Sequence, residues 1–131
     1  MHRAVVGEIV RLGGDPADDV WIWLVTCGPH GPSFTWGQAR REPPGHVGVL
    51  HLERRVDELA SSIPSFRQRA LGVVNLAMNS PLPELARRAI QVAAVVGGEA
   101  ELSRLERLAP GLSPSVAADA RACLFFLKHR R

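Results

Sequence analysis

Between residues 47 and 128 the chain is a succession of apolar stripes at helical spacing, each cut by proline or glycine, and this pattern leaves few folds open. Leu52, Val56, Leu59, Ala60 and Ile63 form the first stripe, which Pro64 stops. Phe66, Ala70, Val73, Val74 and Ala77 form the second, and Asn79-Ser80-Pro81 turns the chain. Leu85, Ala89, Val92, Ala93 and Val96 follow, closed by Gly97-Gly98. Leu102, Leu105 and Leu108 end at Pro110-Gly111, and Ser113-Pro114 opens a last stripe of Val116, Ala120, Cys123, Leu124 and Leu127. Connections of a few residues make consecutive helices antiparallel neighbours. The expectation is an all-α fold of short stacked helices.

The N-terminal third obeys the same rules less cleanly. Residues 3–12 place Val6, Ile9 and Val10 on one face, and Gly13-Gly14 stops that helix. Asp15-Pro16 reads as an N-cap with a first-position proline, and Asp18 and Asp19 suit a first turn, where the helix dipole favours acids. The run Val20-Trp21-Ile22-Trp23-Leu24-Val25 then continues as a buried helix to Gly28. Its β-branched and aromatic content also suits a strand, so the alternative is an α+β chain with a small hairpin at about residues 20–36. Residues 28–46 hold Gly28, Pro29, Gly31, Pro32, Gly37, Pro43, Pro44 and Gly45 and read as an inserted Gly/Pro-rich loop within a single domain spanning 1–131.

The stretch from Ser80 to Ala89 (Ser-Pro-Leu-Pro-Glu-Leu-Ala-Arg-Arg-Ala) is echoed by Leu112 to Ala120, and aligning Pro83 with Pro114 gives an offset of 31 residues. A proline-started helix with small residues inside, a short second helix, and another proline-started helix resemble HEAT/armadillo repeats over about residues 47–128. The aspartate and arginine positions of regular HEAT repeats are not cleanly matched. The resemblance implies short antiparallel helix pairs stacked as a solenoid, with an irregular helical bundle as the alternative. It also implies a protein-interaction role, since small bacterial HEAT-like proteins serve as adaptors, chaperones or immunity proteins.

Charge is unevenly laid out. Residues 1–63 carry six arginines against eight acids, net −2, whereas residues 64–131 carry ten Lys/Arg against five acids, net +5. Arg67 and Arg69 fall on one helix, Arg87 and Arg88 on the next and Arg104 and Arg107 on a third, so these six are the partner-binding candidates. Arginine makes planar contacts to carboxylate or phosphate, which suits a protein partner and offers nucleic acid as the alternative. Single-strand binders stack bases on exposed aromatics, and this chain has no tyrosine and only Phe66, Phe125 and Phe126 in its basic half. The protein partner is therefore the leading expectation.

Cys27, His30, His46 and His51 are the metal candidates: Cys-x2-His, then His-x4-His after fifteen residues, supplies the ligand types zinc prefers. A small zinc-binding protein is the third functional reading, and no other cofactor is implied. No catalytic residue can be named. Cys123 falls on an apolar stripe, Gly31-Pro32-Ser33-Phe34 is no nucleophile elbow, and Glu99 and Glu101 occupy the helix start after Gly97-Gly98 where a phosphate would bind. The chain shows neither a signal peptide nor an apolar run of membrane-spanning length, and its two cysteines make no disulfide framework. A cytoplasmic protein with reduced thiols, away from membranes, is the expectation.

Overall fold

The computed structural model describes residues 3–26, 34–35 and 47–129. In these the fold is all-α: α1 (Arg3–Arg11), α2 (Asp19–Thr26), α3 (Val49–Ser62), α4 (Phe66–Ala77), α5 (Pro83–Val96), α6 (Glu99–Leu108), a 3₁₀ turn at Ala109–Gly111, and α7 (Pro114–His129). The extended residues described are Phe34–Thr35, β1, and Val47–Gly48, β2, paired in parallel with Phe34 opposite Val47. The α+β alternative is thereby overturned. Residues 20–26 are helical, and the β1–β2 contact is not a hairpin. Most of the 28–46 loop, with Cys27, lies outside the described residues.

The helix boundaries follow from local chemistry. α1 ends in a Schellman motif: the Gly14 N–H donates to Ile9 O at 2.8 Å and the Gly13 N–H to Val10 O at 3.0 Å. This geometry needs the left-handed backbone of Gly13, at φ +90°. Gly14 lies so close to the Trp21 indole that a Cβ there would sit 2.6 Å from the ring. α2 starts one turn later than Asp15-Pro16 suggests. Asp15 accepts from the Ala17 N–H in a local turn, and Asp18 is the N-cap, its Oδ1 taking the Val20 N–H at 2.8 Å. Ser65 breaks α3 from α4 with φ 57°, and prolines open α5 and α7 as the sequence indicates.

The core is one cluster that includes Ile9, Leu24, Leu52, Val56, Phe66, Val74, Leu85, Ile90, Leu105, Val116 and Cys123. Each fully buried Leu, Ile or Phe contributes roughly 1.5–3 kcal/mol by leaving water. The face of α1 is rotated from the expected one: Val5 and Ile9, one turn apart, are buried, while Val10 is 59% exposed. α5 is the hub. Ten of its fourteen residues are buried, and it packs against α2, α3, α4 and, most extensively, α7. The second turns of α5 and α7 meet at Arg87 and Asp119, and α6 joins the two helices in sequence.

Candidate functional site

The arginines singled out above are placed by their helices toward different neighbours. Arg67, on α4, pairs with Asp57 of α3. Arg69, two residues on, donates to Oδ1 of Asp18 at 3.0 Å, so the N-cap of α2 also fastens α4. Arg87 of α5 reaches Asp119 of α7 at 2.5 Å, where both side chains are largely buried. Arg88 is buried with Nη1 3.4 Å from the Leu24 carbonyl at the end of α2. Arg104 of α6 donates to the Asn75 carbonyl in the last turn of α4 at 3.0 Å, where a cation offsets the helix dipole. Only Arg104 and Arg107 are brought together, lining with Asn79 and Leu108 an open cavity of about 280 Å³.

These contacts belong to a wider set of polar ties between helices. Glu101 is buried. It accepts the Gly98 N–H at 2.8 Å, as the returning half of a capping box, and the Asn75 side-chain amide at 3.0 Å. Asn75 therefore joins α4 to α6 through its side chain and, by way of Arg104, its carbonyl. Ser80 is buried in the turn before α5, where it accepts the Leu82 N–H at 3.1 Å and donates to Glu8 of α1 at 3.0 Å. The Arg11 hydrogen bond, with Ser80 adding, holds the Glu8 carboxyl below its ordinary pKa. A hydrogen bond to a charged group contributes about 1.5–3 kcal/mol, less where water reaches it. The chemistry that arginine and carboxylate could offer a ligand is here directed into the molecule.

Of the zinc candidates, Cys27, His30 and His46 lie outside the described residues, and His51 is exposed on α3. Among the described residues no group of three or more His, Cys, Asp or Glu could hold a metal ion. Cys123 is buried between α7 and the core, where desolvation, aided by the Asp119 charge, pushes its thiol up to about 12. A thiol so placed is a packing group and not a nucleophile. No described helix is long and apolar enough to cross a membrane.

Two features were not read from the sequence. Gln91 is completely buried on α5, and neither its Nε2 nor its Oε1 meets a hydrogen-bonding group of the protein. The signal was present as a lone amide inside Ala89-Ile90-Gln91-Val92-Ala93. The second feature is on α7, where Phe125 is 54% exposed and its ring stacks on His129, centroids 4.1 Å apart. Arg121 and Lys128 flank it on the exposed side. Compared with protein-family models, with curated proteins and with solved structures, the chain finds no match.

Proposed function

We propose that this chain is a non-enzymatic protein-interaction module of the small HEAT-like kind, an adaptor, chaperone or immunity-type protein. The observation that carries the reading is the direction of the arginines. Arg69, Arg87, Arg88 and Arg104 reach α2, α7, α2 and α4 respectively, and Arg67 pairs across to α3. Nucleic-acid binding needs a row of cations free to neutralise successive phosphates. Here most of that row holds helices together, which favours recognition of a protein through exposed helix faces. The proline-started helices α5 and α7 pack against each other, with α6 between them in sequence and packed on α7, which supports a repeat-like stacking.

Fluorescence anisotropy with labelled single- and double-stranded DNA and RNA tests the proposal. At physiological salt no saturable binding is expected. A micromolar or tighter complex that weakens steeply with added salt, and equally for unrelated sequences, overturns the reading in favour of a phosphate-binding domain.

A further inference from the structure

Most of α5 is buried, whereas α7, among the described residues, packs chiefly against α5, α6 and the 3₁₀ turn and keeps one face exposed. Val116, Ala120, Cys123 and Leu127 face the core. The opposite stripe, at three- and four-residue spacing, is Pro114, Ala118, Arg121, Phe125, Lys128 and His129, all exposed. It runs about 22 Å along the helix at 1.5 Å per residue. Its first half presents small residues and its second half an aromatic ring between two cations.

That stripe is prepared for contact. The His129 Nδ1–H donates to the Phe125 carbonyl at 2.8 Å while the imidazole lies against the phenyl ring at an interplanar angle of 24°. The ring is thus held before anything covers it, and less rotamer freedom is lost on binding. Arg121 and Lys128 have no ion-pair partner among the described residues. The only acid of α7, Asp119, points the other way, to Arg87. A face with one exposed aromatic, two unopposed cations and no carboxylate calls for an apolar side chain flanked by negative charge.

We infer that the outer stripe of α7 docks an acidic segment of a protein partner, with an aliphatic or aromatic side chain seated on Phe125 and carboxylates at Arg121 and Lys128. The inference rests on the interaction-module reading and names the partner's chemistry. A second copy of the chain is disfavoured, because self-pairing of this stripe sets its cations against each other. A lipid surface is disfavoured because interfacial helices insert a continuous apolar face, and this stripe offers one ring.

The experiment titrates the isotope-labelled full chain with a helical peptide of about four turns, built of glutamate with leucine at four-residue spacing, and follows backbone amide shifts by NMR. Two control peptides replace leucine by alanine or glutamate by lysine. Shifts centred on Ala118, Arg121, Phe125 and Lys128 are expected, with weaker binding of the alanine peptide and none of the lysine peptide. Phe125→Ala and the double variant Arg121→Ala/Lys128→Ala should each weaken binding by about tenfold while circular dichroism and the urea midpoint hold. Shifts that are absent at millimolar peptide, scattered over other helices or indifferent to these variants overturn the docking surface. So does tighter occupation of the stripe by vesicles containing phosphatidylglycerol, or dimerisation through it. A native partner cross-linked to another face overturns this surface and leaves the module reading standing, whereas nucleic-acid binding by anisotropy overturns the module reading itself.

Discussion

Replacing Gln91 with methionine should make the protein more stable. Gln91 is 0% exposed in the middle of α5, and its amide nitrogen and oxygen both lack a partner within the protein. An unsatisfied buried donor or acceptor costs about 1–3 kcal/mol. Methionine has nearly the same length and flexibility, carries no polar group that must be satisfied, and adapts to irregular space. Removing the amide while keeping the volume should therefore gain about 1–3 kcal/mol, since part of the gross penalty reappears as imperfect packing. In urea, with a slope of roughly 2 kcal/mol per molar for a chain of this size, the midpoint should rise by about 0.5–1.5 M at unchanged slope. Gln91→Glu should lower it, because a carboxylate in the same place would have to ionise or stay protonated without a partner. A midpoint that falls for Gln91→Met would refute the reasoning, and would mean that an ordered water or a bound group satisfies the amide.

Three further outcomes follow from the packing and the ties. Gly14→Ala should cost about 1–3 kcal/mol and blunt the near-ultraviolet circular dichroism of the tryptophans, because the new methyl collides with the Trp21 ring. Asn75→Ala removes a bond to the buried Glu101 carboxylate and should cost about 1.5–3 kcal/mol, with amide exchange accelerated first in α6. Cys123 should resist thiol reagents in the folded state. Its thiol is raised to about 12, so above its ordinary pKa of about 8.5 the unfolded chain loses a proton that the folded chain keeps. That contribution to stability is complete below about pH 8.5 and falls by about 1.4 kcal/mol per pH unit above it, until the folded thiol also ionises. The loss of stability from about pH 8 to about pH 10 should be shallower in Cys123→Ala, and equal slopes would remove the claim.

The parts of the fold that local chemistry dictates were legible. Gly13-Gly14, Pro64, Pro83 and Pro114 mark real helix ends, and all five apolar positions named on α4 are buried. The acids before Val20 signalled helix, and the helix formed despite the β-branched and aromatic run that follows. The exact cap was not legible, because Asp15 and Asp18 are both competent, and only the fold shows that Asp18 also takes Arg69, fifty-one residues away. The same limit explains the arginines. Arg87 and Asp119 each look like solvated polar positions on their own helices, and only the packing of α5 on α7 brings them together. The dipeptide Phe125-Phe126 does not say which ring faces outward, because that depends on how α7 rolls against its neighbours; Phe125 is the exposed one.

The central claim is that the arginines sort into ties that build the fold and cations left for a partner. Urea denaturation of two double variants with the same change of charge tests it most directly. Arg69→Ala/Arg87→Ala removes the α2–α4 and α5–α7 ties, whereas Arg107→Ala/Arg121→Ala removes two exposed arginines with no ion-pair partner among the described residues. The largely buried Arg87–Asp119 pair should account for about 1.5–3 kcal/mol and the more exposed Arg69–Asp18 pair for about 0.2–1 kcal/mol. The first variant should therefore lose about 2–4 kcal/mol while the second stays within about 0.5 kcal/mol of the parent chain. Equal midpoints, or a larger loss in the second variant, would contradict the account.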